Sequence, residues 1–76
     1  MKNILVIGST GQIGSELTRE LRRIYGGSHV VAGYIKGAEP KGELLDGGPA
    51  AIADVTDGAG IADIVKNYHI DTIYNL

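Results

Sequence analysis

Ile4-Leu5-Val6-Ile7-Gly8-Ser9-Thr10-Gly11-Gln12-Ile13-Gly14 is the stretch on which the fold turns. Four apolar, largely β-branched residues stopped by a glycine describe a strand buried on both faces of a parallel sheet. Beyond the glycines, Ile13, Leu17, Leu21 and Ile24 recur at intervals of four, four and three. That spacing predicts a helix over about residues 12 to 25 with those four side chains on the stripe that packs on the sheet. Arg22 and Arg23 fall in its last turn, where cations complement the helix dipole, and Gly26-Gly27 supplies a positive-φ stop.

Working outward, His29 to Ile35 is a second apolar run of strand length. Lys36 to Gly48 is polar and glycine-rich, contains Pro40, and reads as a surface loop. Pro49 to Ala53 is a weak third strand, followed by Thr56 and Asp57 as alternative N-caps. Ile61, Ile64, Val65 and Tyr68 then mark a second helix of roughly residues 58 to 68, despite the cost of Gly58 and Gly60. Ile70 to Leu76 reads as a fourth, buried strand. The order β-α-β-β-α-β predicts a Rossmann-like α/β fold, a parallel sheet with flanking helices joined by right-handed crossovers. Because the last strand has no helix or strand after it, the expectation is a truncated half-domain: the N-terminal part of a single domain, covering residues 1–76.

Composition narrows the functions. With 76 residues, 43% of them hydrophobic, the chain is one small domain or a piece of one. Cysteine is absent, so disulfides and thiolate metal sites are excluded, and His29 and His69 are too far apart in sequence to form a local metal cluster. A net charge of −2 without any basic run argues against nucleic acid. No apolar run approaches the ~20 residues of a bilayer span, and the N-terminus has no signal architecture, so a cytoplasmic protein is expected. Twelve glycines among 76 residues exceed the ordinary share of about 7%, and three of them carry the chemistry.

Gly8, Gly11 and Gly14 stand in a GxxGxxG spacing between strand and helix. There the first glycine permits a tight turn, the second lets the main chain approach a pyrophosphate, and the third lets the helix pack close to the strand. Open N–H groups at the helix start face the anion. The plainer alternative is a purely structural turn.

This motif resembles that of the extended short-chain dehydrogenase/reductase superfamily, the NAD-dependent epimerases and dehydratases, whose fingerprint is TGxxGxxG; Ile7 stands here in place of the Thr. The resemblance spans the whole chain. It implies that Gly8, Thr10, Gly11, Gln12, Ile13 and Gly14 cradle the pyrophosphate and that Asp54 and Val55 meet the adenine, although Asp54 also suits a cap or turn. Tyr74-Asn75-Leu76 looks like the start of the family's (H/N)-L-A-A segment, with Leu76 along the cofactor. Within the superfamily, Gln12 to Leu17, Leu21 to Gly26 and Gly48-Pro49 before Asp54 to Asp57 look most like the short-chain type of L-threonine 3-dehydrogenase. Gln12 to Leu17 also resembles dTDP-4-dehydrorhamnose reductase. The functions implied are an L-threonine-oxidising enzyme, a sugar-nucleotide epimerase, dehydratase or reductase, or a non-catalytic NAD(P) sensor. The partners implied are a small substrate, L-threonine or a nucleotide sugar, and a second copy in a full-length homodimer.

The family's catalytic Tyr-x-x-x-Lys pair is missing from the chain. Tyr25, Tyr34 and Tyr68 are followed at +4 by His29, Ala38 and Thr72, and Tyr74 runs past Leu76. Catalytic residues are therefore expected beyond Leu76. His29 reads as an edge residue, His69 as serving the end of the second helix, and Tyr25 and Tyr68 as core-edge packing. Glu16, Arg19, Glu20 and Arg23 form a solvated helix face.

NAD sites usually end the second strand with Asp or Glu about 20 residues past the glycines, hydrogen-bonding the ribose hydroxyls. Here that position is Tyr34. The resemblance implies NAD, yet Tyr34 removes the charge that repels a 2′-phosphate, and Lys36 is either a partner for that phosphate or merely solvated, so NADP stays open. The intact enzyme is expected to discriminate less than about tenfold between NAD and NADP, or to favour NADP. Tyr34→Asp should restore NAD preference, since a carboxylate both binds the free hydroxyls and repels the phosphate, each worth roughly 1 to 3 kcal/mol. The check is the ratio of kcat/KM for the two cofactors; a parent that already prefers NAD about a hundredfold would remove position 34 from this role.

Overall fold

Apolar residues on both faces of the first strand require a layer on each side, and the computed structural model, which describes residues 2–76, supplies both. Strand β1 (Ile4–Ile7) is buried along its whole length. Ile4 and Val6 pack with Val30, Leu21 and Leu17 on one face, while Leu5 and Ile7 pack with Val31, Ala53 and Ile64 on the other. The remaining elements are α1 (Gln12–Tyr25), β2 (Val30–Tyr34), a single helical turn α2 (Glu43–Asp46), β3 (Ala50–Ile52), α3 (Gly58–Asn67) and β4 (Thr72–Asn75).

The four strands pair in parallel in the order β3-β2-β1-β4. From β1 the chain steps outward through β2 to β3, then returns past β1 to β4. With crossovers of one hand, the two outward connections share a face and the returning one takes the other. Contacts agree: α2 touches α1, whereas Ile64 of α3 belongs to the opposite core cluster. No helix among the described residues is long and apolar enough to cross a membrane.

Helix α1 has the expected bounds, and Leu17 and Leu21 pack on the sheet as expected, but the other two residues of the stripe do not. Ile13 and Ile24 are 73% and 55% exposed, and the inward residues are Gly14, Thr18, Leu21 and Arg22. Close approach of the backbone at Gly14 turns the helix, so a line at +4, +7 and +8 from that glycine meets the sheet and only Leu17 and Leu21 of the apolar stripe stay with it. Thr18 is tolerated there because its hydroxyl donates to the Gly14 carbonyl at 2.7 Å.

Arg22 is no dipole ornament. Its guanidinium donates to the Val30 carbonyl through Nε and Nη2 (both 3.2 Å), to Leu44 O at 2.6 Å and to Pro49 O at 2.8 Å. One side chain thereby joins α1 to the start of β2, to α2 and to the entry of β3. Burial works against its charge, and the carbonyl dipoles offset that cost.

Other boundaries shift for local reasons. His29 belongs to a 3-10 turn, Gly27–His29, and faces Asn3 Oδ1 through Nδ1 at 2.9 Å, while Ile35 lies beyond β2 and is exposed. Leu44 is buried inside the segment expected to be loop, which holds α2 in place. Asp57, not Thr56, caps α3 by accepting from Gly60 N at 3.1 Å. His69 does serve the end of that helix, through its backbone: with φ at 55° it lets Ile70 N reach Val65 O at 2.9 Å. Tyr25 and Tyr68 are 37% and 38% exposed, at the margin of the core. Strand β4 lies at the margin of the four described strands, and Ile73, Tyr74 and Asn75 are exposed there.

Arg22→Leu keeps the apolar stem but withdraws the donors from three carbonyls. It should lower unfolding free energy by about 2 kcal/mol or more, with Arg22→Lys recovering only part because a point charge cannot span the acceptors. The urea midpoint at constant m-value measures this; an unchanged midpoint in Arg22→Leu would show that the clamp contributes nothing.

Candidate dinucleotide site

The site grows from the end of β1. Gly8 leaves the strand with φ at 84°, a conformation that side-chain-bearing residues avoid. Ser9, fully buried, donates both its N–H (3.0 Å) and its hydroxyl (2.8 Å) to Gly33 O, tying the turn to β2. The chain then enters α1 at Gly11, which no side chain caps, and no acidic residue stands in the first turn. The N–H groups of Gln12, Ile13 and Gly14 therefore begin a helix with its positive end open.

The other two glycines differ in what demands them. A Cβ on Gly14 would overlap the Gly8 carbonyl oxygen and stand 3.0 Å from Ser9 Cα, so the fold itself excludes a side chain there. A Cβ on Gly11 would meet only Gly8 O, at an ordinary 3.6 Å. Nothing within the chain requires glycine at position 11, and the space it leaves opens on a cleft, as a closely approaching anionic group requires.

That cleft, about 350 Å³, lies at the carboxyl ends of β1 and β4, lined by Gly8, Gly11, Asp54, Val55, Asn75 and Leu76 together with apolar atoms of Ile35 and Ala38. It is the switch point of the sheet, since successive strands leave β1 to one side and β4 lies on the other. Leu76 is held over the turn by its N–H to Ile7 O at 3.1 Å. Asp54 Oδ1 accepts from Thr56 N (2.9 Å) and Thr56 Oγ1 (2.7 Å), bonds that hold its carboxyl below the usual range and leave Oδ2 for an outside donor. It is a turn residue and a cleft residue at once.

Tyr34 ends β2 half-buried and Lys36 is exposed; neither lines the cleft. A second recess of about 500 Å³, which the sequence reading missed, lies beside the glycine turn between α1 and the segment following β2. Thr10, Ser15, Arg19, Glu39, Lys41 and Glu43 contribute to it. Its only sequence signal is the alternation of charges with Gly and Pro in Lys36 to Glu43. Gln12 and Ile13 project from the first turn of α1 and are exposed.

A parallel sheet whose switch point carries a glycine turn and an uncapped helix defines a Rossmann-type dinucleotide-binding unit. The chain belongs to the NAD dependent epimerase/dehydratase family, whose model matches residues 4–76. That membership implies NAD(P) binding and an oxidoreductase fold. It is 40% identical, over all of its length, to an uncharacterized epimerase/dehydratase of Staphylococcus saprophyticus, of which it covers 23%. Among solved structures, it superposes on L-threonine dehydrogenase from Clostridium difficile with a TM-score of 0.84 at 44% identity, covering 100% of this chain and 24% of that one. The enzyme of the same name from Phytophthora infestans gives 0.83 at 36% identity, covering 99% and 22%. The chain thus spans about a quarter of the length of these relatives.

The two glycines should separate on substitution. Gly14→Ala forces α1 off β1 and should lower stability by about 2 kcal/mol or more, as overpacking at a close approach does. Gly11→Ala should keep thermal unfolding within a few degrees, roughly the loss of a favourable N-cap residue, while weakening ADP-ribose binding at least about tenfold. Calorimetric titration and thermal melts of both variants check this; undiminished affinity in Gly11→Ala would mean that no ligand approaches there.

Proposed function

We propose that this chain is the N-terminal part of a single NAD(P)-binding domain in an oxidoreductase that converts L-threonine to 2-amino-3-oxobutanoate. The observation that carries the reading is the open helix start at the glycine turn, beside a cleft at the switch point of the sheet. The likeness to L-threonine dehydrogenases at 44% and 36% identity supports the substrate.

In this reading Gly8, Thr10, Gly11, Gln12, Ile13 and Gly14 receive the pyrophosphate, through open N–H groups and the helix dipole. Asp54 Oδ2 and the Val55 backbone meet the adenine, Tyr34 at the end of β2 stands toward the ribose, and Leu76 runs along the cofactor. Because Asp54 is prebound to Thr56, its carboxylate meets the base without further ordering. When bound, NAD(P) would supply the hydride acceptor for oxidation at the threonine carbinol carbon. Proton removal from the hydroxyl belongs to the Tyr-x-x-x-Lys pair that the family resemblance implies beyond Leu76, so residues 1–76 alone bind but do not catalyse. The intact enzyme is a cytoplasmic homodimer.

The test is to incubate the full-length protein with L-threonine and NAD or NADP and follow reduced cofactor. Threonine-dependent reduction is expected, and none from residues 1–76 alone. Turnover of a nucleotide sugar in place of threonine would move the protein to the epimerase, dehydratase or reductase branch. Cofactor binding without turnover of either would make it a sensor.

A further inference from the structure

Resting on the dinucleotide reading above, we propose that the recess beside the glycine turn receives a phosphate on the 2′ position of the adenosine ribose, held by Arg19 and Lys41, which makes the cofactor NADP(H). The two hollows are continuous: Thr10 and Ala38 line both the cleft at the switch point and the polar recess. A 2′ substituent on a ribose lying in the cleft would reach the recess across this saddle. Such folds read the ribose hydroxyls at the end of the second strand. The recess begins at Gly37, just past the end of β2 at Tyr34.

Its chemistry suits a phosphate monoester. Arg19 presents a guanidinium from the exposed face of α1, and Lys41 an ammonium from the facing segment. The salt bridge found among the described residues joins Arg23 to Glu20, and neither recess cation makes one there. Thr10, half-buried on the saddle, makes no side-chain hydrogen bond among the described residues and offers a hydroxyl to a phosphate oxygen. Two carboxylates share the recess. Glu39 is turned onto Gly37 N–H at 2.9 Å, an engagement that with neighbouring Lys41 holds its carboxyl below the usual range. That leaves Glu43 to oppose two cations, while a phosphate monoester brings nearly two negative charges and three acceptor oxygens to the guanidinium fork. Tyr34 puts no charge where a carboxylate would repel that group. Lys36 lines neither hollow and is not assigned this role.

The probes are adenosine 5′-monophosphate and adenosine 2′,5′-bisphosphate, titrated into the full-length protein by calorimetry. The bisphosphate should bind at least about tenfold more tightly, with an advantage that shrinks as salt is added. In Arg19→Ala/Lys41→Ala the advantage should fall below about threefold with monophosphate affinity unchanged, whereas Lys36→Ala should retain it. Both replaced side chains are exposed, so unfolding temperature should match the parent. Equal binding of the two nucleotides by the parent would overturn the assignment, and so would an advantage that survives the double substitution or disappears in Lys36→Ala. If the monophosphate binds and the 2′-phosphate adds nothing, only this inference fails; if neither nucleotide binds, the dinucleotide reading fails with it.

Discussion

The backbone of Gly14 lies against the carbonyl of Gly8, closer than any side chain would allow. This contact sets the distance and rotation of α1 relative to β1, and much else follows. Interiors are close-packed, so a helix brought this near must present small or polar-tipped residues along the line of contact. Thr18 bonds back to its own helix, and Arg22 crosses to the neighbouring elements. The same rotation sends Ile13 and Ile24 outward. The uncapped start of α1 lies next to Gly8 and Gly11, which line the cleft, so packing of the helix and the shape of the cleft share one geometric cause.

How much of this the sequence disclosed depends on whether the responsible signal was local. The bounds of α1 follow from adjacent residues, glycines before and after an amphipathic run, and the structure reproduces residues 12 to 25. The parallel sheet follows from strands alternating with helices and from the apolar run of β1, whereas the order that sets β1 between β2 and β4 has no local signal in the sequence. The burial of Arg22 was illegible, because an arginine in a last helical turn ordinarily faces water and its partners lie at Val30, Leu44 and Pro49. The single turn α2 was hidden for the same reason: Leu44 is buried by tertiary contacts that a polar, glycine-rich context conceals. For the site, GxxGxxG located the turn, but only coordinates distinguish Gly14, required by packing, from Gly11, which the chain does not require.

The two hollows differ in polarity. The cleft is framed by Ile7, Val55, Leu76 and the glycine backbone, as suits a flat base and a sugar. The neighbouring recess carries charge on both walls. The wall opposite α1 is the segment from Gly37 to Leu44, anchored by buried Pro40 and Leu44 rather than by strand pairing. Loop positions are freer to vary than strand positions, so charges here can change without disturbing the sheet.

Arg22 meets only carbonyl oxygens, and those acceptors do not titrate. The opposite half of the sheet is fastened differently. The turn after β3 depends on Asp54 and the entry to β4 on Asp71, whose carboxylate accepts from Thr72 Oγ1 at 2.8 Å and from Asn3 N at 3.3 Å. Hydrogen bonds hold both carboxyls below their ordinary range, so what they contribute is present at neutral pH and is lost as acid protonates them through those lowered values. Acidification therefore weakens the turn after β3 and the entry to β4, while the bonds from Arg22 to its carbonyl oxygens persist.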